Sequence, residues 1–568
     1  MPVETEAVSG AIRTATGTGE AVWYASYPPG IPRTIDPDPY PSLTAMLLDA
    51  CARHAEHPAF ECLGSRMSFT EWDGVSRDFA AFLVEQLACQ PGDRLAIMLP
   101  NLIAYPVAFL GALRAGLVVV NVNPLYTPRE LGDQLVDSGA TIIVIMENFA
   151  HKLESVLAQT QIKHVVVARL GDFMPAPKRV LLNFANSHIR RAVPSWHIKN
   201  FTMLQAACDR RASRDYADAK LASSAPALLQ YTGGTTGTSK GAVLTHRNLV
   251  ANSLQCRAWI APNLPEEKGS VLTPLPLYHI FSLTANLLAF ALMGGLSVLV
   301  PDPRDLKGLI RTMRRARVTT MTGVNTLFNA LINAPDFAKL DFSSLSFAIG
   351  GGAAVQSAVA IRWRELTGSD LVEGYGLTEA SPVVCINPVR SPKIGTVGLP
   401  VSSTEVAIRD DKGNDLAVGE AGEICVRGPQ VMQGYWRRPD ETKLVLTADG
   451  WLHTGDIGSF DAEGFLKILD RKKDMINVSG FKVFPNEVED VISRHAGVVE
   501  AAVIGVADPQ TGQGVKLFVV KRDPALTAAE LTKFARESLA PYKVPKTIVF
   551  VDALPKSNVG KIIRKDLK

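Results

Sequence analysis

The stretch RLAIMLPNLIAYPVAFLGALRAGLVVVNV, residues Arg94–Val122, sets the fold of this chain. Two short apolar runs, RLAIML and LVVVNV, are rich in aliphatic and β-branched residues that favour buried strands. The run AYPVAFLGALRAG between them is long enough for a helix. A strand, a helix and a second strand in this order predict a βαβ unit, in which a helix joins two parallel strands of one sheet.

The same alternation continues through the first two thirds of the chain. A polar helix from Pro128 is followed by another apolar run, TIIVIM, and we find no fixed-period repeat. After about Pro400 the sequence changes to turn-rich, strand-like segments. We therefore predict an α/β fold with a large N-terminal domain of mixed sheets sandwiched by helices, a β-rich subdomain, and a small α+β C-terminal domain.

A charged cluster, Asp470–Asp474, separates the two predicted domains. Charged stretches between apolar units are suitable boundaries, so residues 23–470 form the predicted large domain and residues 471–568 the small one. Residues 1–22 are mostly small and polar and lack the basic-then-apolar pattern of a secretory signal. We expect them to form a flexible N-terminal extension.

Composition and charge limit the classes of function. The chain has 568 residues and a net charge of +3, which argues against a protein that binds nucleic acid through many phosphate contacts. One uncharged run, Phe281–Val300, is about long enough to cross a bilayer. Because Gly294 and Gly295 divide it, we expect a buried helix followed by a buried strand. Seven cysteines without a CxxC pair are typical of a reduced, cytoplasmic protein.

The stretch YTGGTTGTSKG, Tyr231–Gly241, has the composition of a phosphate-binding loop. Small residues let several backbone N–H groups converge on an anion, and threonine and serine hydroxyls add donors. A Walker A loop would need its lysine directly after the last glycine of GxxxxGK[ST]. Here Thr238 and Ser239 separate Gly237 from Lys240. The spacing therefore excludes a Walker A loop, while the composition still indicates phosphate binding.

Three further motifs follow along the chain: EGYGLTEAS at 373–381, GWLHTGDIGSFDAEGFLKILDRKKDMI at 450–476 and LPKSNVGKIIRKDL at 554–567. With the glycine loop, they resemble the signatures of the adenylate-forming superfamily of acyl-CoA synthetases, peptide-synthetase adenylation domains and luciferases. The second motif is similar to the signature of fatty acyl-CoA synthetases. The loop departs slightly, with Gly233 and Ser239 where the family often has Ser and Pro, and neither change removes a backbone donor.

The resemblance implies roles for individual residues. Tyr375 flanks the adenine, Asp456 accepts the ribose hydroxyls, and the glycine loop holds the β- and γ-phosphates. Thr378 contacts the α-phosphate, Glu379 supports the expected Mg²⁺, and Lys561 is the catalytic lysine. The full set of implied ATP- and AMP-binding residues is Thr232, Gly233, Gly234, Thr235, Thr236, Gly237, Lys240, Gly351, Gly352, Tyr375, Gly376, Asp456 and Arg471.

By the same resemblance, the chain joins a long-chain fatty acid to coenzyme A. A fatty carboxylate attacks MgATP to give acyl-AMP and pyrophosphate, and the CoA thiol then displaces AMP. Asp470 is the implied hinge about which a mobile C-terminal domain exchanges Lys561 for the loop around Gly480. His279 and Gly323 are expected at the acyl site, where neutral segments can line an apolar channel. A medium-chain or aryl acid–CoA ligase is the alternative.

One segment has the composition of a surface that binds a membrane. The segment KRVLLNFANSHIRRAVPSWHIK, Lys178–Lys199, mixes basic residues with Phe, Ile and Trp, as interfacial segments do. A surface helix packed on the body of the protein is the alternative. Peripheral contact with the inner face of a membrane and assembly as a homodimer are thus hypotheses that the sequence leaves open.

Overall fold

The computed structural model describes residues 21–209, 216–232, 239–265, 269–557 and 560–567. Within these ranges the larger part of the chain holds three sheets, and the C-terminal part holds a fourth. The strands up to residue 400 are β1 (Pro58–Cys62), β2 (Ser65–Ser68), β3 (Arg94–Met98), β4 (Val118–Asn121), β5 (Ile142–Met146), β6 (His164–Ala168), β7 (Thr202–Met203), β8 (Pro226–Thr232), β9 (Lys240–Thr245), β10 (Ser270–Thr273), β11 (Leu296–Leu299), β12 (Thr320–Gly323), β13 (Phe347–Gly350), β14 (Asp370–Gly376), β15 (Val383–Ile386) and β16 (Leu399–Pro400).

The strands beyond residue 400 are β17 (Glu405–Arg409), β18 (Gly422–Arg427), β19 (Gly434–Tyr435), β20 (Leu452–Phe460), β21 (Leu466–Arg471), β22 (Ile476–Val478), β23 (Phe481–Val483), β24 (Val498–Asp508), β25 (Gly512–Lys521) and β26 (Thr547–Phe550). The α-helices are α1 (Leu43–Arg53), α2 (Phe69–Ala81), α3 (Ala104–Arg114), α4 (Pro128–Ser138), α5 (Ala150–Val156), α6 (Ala176–Phe184), α7 (Leu204–Cys208), α8 (His246–Ile260), α9 (Ile280–Ser282), α10 (Ala289–Met293), α11 (Leu306–Ala316), α12 (Asn325–Ile332), α13 (Ser357–Thr367), α14 (Pro439–Val445), α15 (Pro485–Ser493) and α16 (Ala528–Ser538).

The predicted βαβ unit lies in an eight-stranded sheet with the order β19-β9-β8-β4-β3-β5-β6-β7. Strands β3 and β4 are parallel, with Arg94 opposite Val118. Every residue of the connecting helix α3 is buried. Complete burial explains why the α3 sequence has almost no polar face, since a helix covered on all sides needs none.

The predicted polar helix from Pro128 is α4. Its first turn is closed by a capping box: the Thr127 hydroxyl accepts a hydrogen bond from the Glu130 backbone N–H, and the Glu130 carboxylate accepts one from the Thr127 N–H. Gly139 ends the helix with φ of +64°. Local capping signals at both ends therefore fix this helix in the sequence.

The run Phe281–Val300 forms a buried helix and then a buried strand, as predicted. Helix α9 continues through a π-helical segment, Leu283–Leu288, into α10, and β11 follows. Gly294 makes the turn between them with φ of +71°, and a Cβ there would lie 2.5 Å from the His54 ring. Across the part of the chain that the structure describes, no helix is both long and apolar enough to cross a membrane.

A nine-stranded sheet with the order β16-β15-β14-β13-β12-β10-β11-β1-β2 forms the second large layer. The most extensive apolar core includes β1, β3, β4 and the helices α1, α2 and α3. Separate cores cover the far faces of the two sheets, against α4 and α5 on one side and α11, α12 and α13 on the other. Helices therefore sandwich both large sheets.

The predicted β-rich subdomain is an antiparallel sheet with the order β17-β18-β20-β21. Its core extends to the start of the described chain, where Trp23 is buried and stacks on Phe460 with ring centroids 5.3 Å apart. Trp23 belongs to a 3₁₀ helix, Val22–Ser26. Most of the predicted flexible extension, residues 1–20, lies outside the described residues.

The C-terminal part has its own small core. Strands β22 to β26 form one sheet, on which α15 and α16 pack through apolar side chains such as Val488, Ile492 and Leu531. Beyond the β22–β23 hairpin, the order is helix, strand, strand, helix, strand, as the sequence predicts. The expected α/β class, with sheets between helices and a smaller C-terminal domain, is confirmed.

Candidate active site

The carboxyl ends of three neighbouring parallel strands form the floor of the site. Strands β12, β13 and β14 pair in parallel, so Gly323, Gly350 and Tyr375 come to the same edge of the nine-stranded sheet. Ligands of α/β sheets bind outside the carboxyl ends of parallel strands. Gly351, one of the predicted binding residues, follows β13 directly, and a Cβ there would lie 3.1 Å from the Phe281 ring.

Lys561 reaches this edge from the other end of the chain. A Cβ built at Gly352 would lie 3.2 Å from Lys561 Cε and 3.6 Å from its Nζ. The tail is held here because the Thr326 hydroxyl donates to the Gly560 carbonyl at 2.8 Å. Gly352 has φ of +76°, a conformation that only glycine adopts readily. Glycine is therefore required at 352 both by the backbone and by the approach of the lysine.

Asp456 forms the side of the site opposite the glycines. It lies on β20 and is 6% exposed, and its Oδ2 accepts a hydrogen bond from the Tyr375 hydroxyl at 2.7 Å. Arg471, its neighbour across the β20–β21 pairing, lies with Nε 3.3 Å from Asp456 Oδ1. Tyr375, Asp456 and Arg471, which the sequence places far apart, thus form one group joined by a hydrogen bond and an ion pair.

Burial controls the charges at this centre. The pKa of Lys561 is lowered to about 8, mainly by burial of the ammonium and also by Arg471, with Asp456 opposing the shift. Burial raises the pKa of Asp456, while Arg471, the Tyr375 hydroxyl and Lys561 act against that rise. The positive charge of an ammonium in a poorly solvated cleft beside another cation is not fully compensated by nearby negative charge. An anionic ligand between Lys561 and Arg471 would supply it.

His279 lies close enough to Lys561 for their charges to interact. The pKa of His279 is lowered to about 3, mainly by burial and also by the charge of Lys561. The ring is therefore neutral at pH 7, and its Nδ1 accepts a long hydrogen bond of 3.4 Å from the Phe281 N–H at the start of α9. This geometry suits a wall residue of the site rather than a base.

Glu379 marks a second cluster at the site. It lies in the 3₁₀ turn Thr378–Ala380, which packs against β8 and β9. Its Oε1 accepts a hydrogen bond from the Tyr435 hydroxyl at 2.8 Å. Gly376, just before this turn, allows a close chain reversal, because a Cβ there would lie 2.2 Å from the Pro382 carbonyl oxygen.

The surroundings of Glu379 fit a magnesium ion that is coordinated mainly by phosphate oxygens and waters and by a single protein carboxylate. Among the described residues, no group of three or more His, Cys, Asp and Glu side chains could hold a metal ion. Mg²⁺ commonly binds one or two protein carboxylates, and phosphate oxygens and waters complete its octahedron. A single carboxylate oriented by a tyrosine hydroxyl, next to a phosphate-binding loop, meets that requirement.

The two ends of the glycine loop lie beside this cluster. Thr232 and Lys240 face each other at the ends of β8 and β9, and Gly233, Gly234, Thr235, Thr236 and Gly237 between them lie outside the described residues. Lys240 forms an ion pair with Glu441, and its Nζ lies 5.2 Å from the centroid of the Tyr435 ring. The base of the loop is thus fixed next to Glu379 through their shared neighbour Tyr435.

Gly323 and Gly480 lie in contrasting surroundings. A Cβ at Gly323 would lie 2.8 Å from the Phe328 ring, so this strand end is tightly packed. Gly480 lies at the tip of the β22–β23 hairpin with φ of +89°, and no described atom is within 4 Å of its Cβ position. The structure therefore brings Gly323 to the site edge and leaves Gly480 in open space.

Asp470 lies at the predicted domain boundary and is 1% exposed. Its Oδ1 accepts from the Arg471 N–H at 2.8 Å and from Arg564 Nη1 at 3.1 Å, and its Oδ2 accepts from the Asn486 N–H at 2.8 Å. Burial raises the pKa of Asp470, and Arg564 opposes that rise. The residue expected to be a hinge thus accepts hydrogen bonds from three residues that follow the boundary.

Two residues of the site escaped the sequence reasoning. Tyr435 holds Glu379 and contacts Lys240, and Arg564 bonds to Asp470. The basic tail containing Arg564 has the composition of a solvated surface, and Tyr435 lies in no recognised motif. Their partners are more than 50 positions away in sequence, so no local pattern reveals them.

Comparisons with known proteins agree with this geometry. Residues 47–436 match the AMP-binding enzyme family, and residues 487–561 match the AMP-binding enzyme C-terminal domain. The chain is 52% identical over 550 residues to the long-chain-fatty-acid–CoA ligase of Yersinia pestis, covering 97% of this chain and 98% of that protein.

Solved structures show the same architecture. The chain superimposes on ATP-bound MatB from Rhodopseudomonas palustris with a TM-score of 0.79 at 28% identity, covering 93% of this chain and 98% of that one. It also superimposes on the anthranilate CoA ligase AuaEII in complex with anthranoyl-AMP with a TM-score of 0.84, covering 94% and 98%; at 24% identity this likeness shows the fold alone. This chain belongs to the AMP-binding enzyme family.

Proposed function

We propose that this protein is a long-chain fatty acid–CoA ligase that works through an acyl-adenylate. It activates a fatty carboxylate with ATP, releases pyrophosphate, and transfers the acyl group to the thiol of coenzyme A. The observation that carries the proposal is the meeting of Lys561 with Gly352 and with the Tyr375–Asp456–Arg471 group at the carboxyl ends of β12, β13 and β14. The relative from Yersinia pestis supports the choice of a long-chain acid.

The nucleotide fits the site from the sheet edge outward. Gly351 and Gly352 leave backbone accessible to the flat adenine ring, and Tyr375 flanks it. Asp456 accepts the ribose hydroxyls. In the described conformation both of its oxygens have partners, Tyr375 and Arg471, so the nucleotide must share or replace one of them. Thr378, in the turn that packs against β8 and β9, contacts the α-phosphate in this proposal.

The first step needs stabilisation of negative charge more than a protein nucleophile, since the attacking carboxylate belongs to the substrate. The pentacovalent phosphorus carries extra negative charge on its oxygens while the P–O bond to pyrophosphate breaks. Lys561 offsets this charge at the α-phosphate, and the glycine loop with Lys240 holds the leaving pyrophosphate. Fixed donors in a poorly solvated site stabilise such charge with little reorganisation.

Mg²⁺ would be held by Glu379, whose carboxylate Tyr435 orients. When bound, Mg²⁺ supplies a Lewis acid that neutralises phosphate oxygens. The Tyr435 hydroxyl itself holds Oε1 of Glu379 through a hydrogen bond of 2.8 Å. Because Tyr435 also contacts Lys240, the same tyrosine orders the two groups that flank the phosphates.

The second step needs a different arrangement of residues 471–568, which we propose as the mobile small domain beside a large domain of residues 23–470. A rotation at Asp470 withdraws Lys561 and brings the Gly480 hairpin to the site. The open surroundings of Gly480 support a role that needs space, such as passage of the pantetheine arm. The fatty chain lies near His279 and Gly323, with its carboxylate toward Lys561.

Product analysis of the purified protein tests this function. With ATP, Mg²⁺, coenzyme A and a saturated fatty acid of sixteen carbons, we expect AMP, pyrophosphate and an acyl thioester. A series of shorter fatty acids and aryl acids separates the long-chain ligase from a medium-chain or aryl acid ligase. Release of ADP, or a preference for aryl acids, would contradict the proposal. Lys561→Ala serves as the matched inactive control.

The surface near α6 supports peripheral contact with the cytoplasmic membrane. Val180, Leu181, Phe184 and Ile189 are among the exposed large apolar side chains, with Ile189 69% exposed. The segment from 178 to 199 contains five Lys and Arg residues and no Asp or Glu. Basic residues around an apolar face bind anionic lipid. A homodimer that covers the same face is the alternative.

Vesicle co-sedimentation separates these two alternatives. We expect binding to vesicles containing anionic lipid, weaker binding to zwitterionic vesicles, and loss of binding when Arg190 and Arg191 are changed to Gln together with Phe184→Ser. Unchanged sedimentation of this variant would contradict the membrane surface. If the variant instead converts a dimer to a monomer in light scattering, the face belongs to a homodimer.

A further inference from the structure

We propose that Arg564 is a positioning residue for Lys561, holding the tail so that the lysine meets the nucleotide site during acyl-AMP formation. Arg564 lies three residues after Lys561, and its guanidinium contacts Asp470 at the predicted domain boundary. The proposal rests on the function proposed for Lys561 and adds the residue that places it.

The guanidinium donates hydrogen bonds to side chains of two elements, β21 and α15. Arg564 Nη1 donates to Asp470 Oδ1 at 3.1 Å, and Nη2 donates to Asn486 Oδ1 at 2.7 Å. Nη2 also lies 3.0 Å from both carboxylate oxygens of Glu489. Asp474 lies 3.6 Å from Nη1. A planar fork of donors fits several acceptors at fixed angles, which a lysine in the same place could not match.

One of these contacts joins the tail to the larger part of the chain. Asp470 lies in β21 directly before Arg471, the last residue of that strand, and Arg471 forms an ion pair with Asp456 in the candidate active site. A bond from Arg564 to Asp470 therefore fixes the tail relative to β21, which pairs with β20, the strand that carries Asp456. Lys561, three residues earlier, is placed by the same bond.

Breaking the contacts of Arg564 with Asp470 and Glu489 would be energetically unfavourable. Asp470 is 1% exposed and Glu489 is 9% exposed, so both carboxylates are buried against a single guanidinium. Removing one partner of a buried ion pair leaves the remaining charge without compensation and is strongly unfavourable. The tail is thereby held in the pose that directs Lys561 at Gly352, beyond what the bond from Thr326 to the Gly560 carbonyl provides.

A purely structural role for Arg564 predicts a different outcome. The contacts to Asn486 and Glu489 lie within the C-terminal part, and Glu489 also accepts a hydrogen bond from the Val503 N–H at 2.7 Å. If these contacts alone mattered, loss of Arg564 would loosen the small core and impair both half-reactions equally. A positioning role requires selective loss of the half-reaction that uses Lys561.

The test compares the two half-reactions in the full-length protein. Arg564→Gln and Arg564→Lys are assayed for acyl-AMP formation from ATP and fatty acid, and for thioester formation from synthetic acyl-AMP and coenzyme A. We expect acyl-AMP formation to fall on the order of 100-fold in Arg564→Gln and less in Arg564→Lys, with thioester formation nearly unchanged. Lys565→Ala, the loss of an exposed neighbouring cation, is the matched control and should leave both rates unchanged.

The ratio of the two rates decides the question. A lower ratio of acyl-AMP to thioester formation supports positioning, and an unchanged ratio in both Arg564 variants overturns it. If Arg564→Gln does not fold, the ratio in Arg564→Lys decides. Lys561→Ala is measured alongside: if it fails to lower acyl-AMP formation, the role proposed for Lys561 is wrong, independently of Arg564.

A pH profile adds a readout that a structural role would not move. Lys561 faces Arg471, Asp456 and His279, and its low pKa depends on burial in that position. In the Arg564→Lys variant, Lys561 should become better solvated, so its pKa should rise. The alkaline limit of acyl-AMP formation should therefore move to higher pH. An unchanged limit would count against displacement of Lys561.

Discussion

Two glycines of this protein, Gly352 and Gly480, share a backbone conformation with positive φ but differ in the atoms that surround them. Gly352 has φ of +76° and meets Lys561, with 3.2 Å between its Cβ position and Cε. Gly480 has φ of +89°, and within the described chain its Cβ position has open space on all sides. Both are glycine for the same conformational reason, yet only Gly352 has a neighbour that explains why space is needed.

The contrast indicates which step the described conformation serves. Lys561 lies beside Gly352, where the proposed first half-reaction would use it, and Asn329, Ser357 and Thr326 each form a hydrogen bond with the C-terminal part in this arrangement. Gly480 is exposed on its hairpin, and no described atom lies within 4 Å of its Cβ position. We infer that the conformation is the one for acyl-AMP formation, and that the space at Gly480 is used only after the C-terminal part rotates.

The largest expected effect comes from removing the lysine. Lys561→Ala should lower acyl-AMP formation on the order of 1000-fold, because a fixed cation at the developing charge is lost. Thioester formation from supplied acyl-AMP should be largely retained, since that step uses the other arrangement. Separate assays of pyrophosphate release and thioester formation measure this. Equal loss of both rates would contradict the division of labour.

A bulky side chain at Gly480 should produce the opposite pattern. Gly480→Trp is expected to lower thioester formation on the order of 100-fold by misplacing or excluding the pantetheine arm, with acyl-AMP formation retained. Gly413→Trp is a matched control, because Gly413 has φ of +82° and no described atom within 4 Å of its Cβ position. If acyl-AMP formation fails too in Gly480→Trp, the hairpin has another role.

A methyl group at Gly352 should have a smaller effect on the first step. Gly352→Ala adds a contact at 3.2 Å to Lys561 and a strain of about 1–2 kcal/mol for a positive φ, so we expect acyl-AMP formation to fall about tenfold. Gly368→Ala introduces the same kind of strain at φ of +71°, where nothing described lies within 4 Å. Equal effects in the two variants would show that strain alone is responsible.

The smallest expected effect is a pH limit on one step only. The Lys561 pKa of about 8 means that its cation is present below pH 8 and lost above it. The kcat/KM of acyl-AMP formation should therefore decline above about pH 8, while thioester formation from acyl-AMP should not show this limb. Lys561→Arg, which keeps its charge, should lack the decline. If the decline above pH 8 persists in Lys561→Arg, it comes from the titration of a group other than Lys561.

Local sequence signals predicted most of the fold. The βαβ unit at Arg94–Val122, the capped helix α4 and the helix-then-strand at Phe281–Val300 each follow from apolar periodicity and from glycine or capping residues within a few positions. The site was predicted from motifs in the same way, and the structure brings Lys561, Asp456, Tyr375 and Gly352 together. The roles of these residues stay predictions.

The sequence by itself determined the strand–helix alternation, the glycines that need positive φ and the motifs that specify a nucleotide chemistry, because these depend on neighbours along the chain. Only the tertiary structure decided that Tyr375 bonds to Asp456, that Tyr435 orients Glu379 and that Arg564 bonds to Asp470. It also decided the low pKa of Lys561, since burial depends on what packs over the ammonium and not on the residues beside it in sequence.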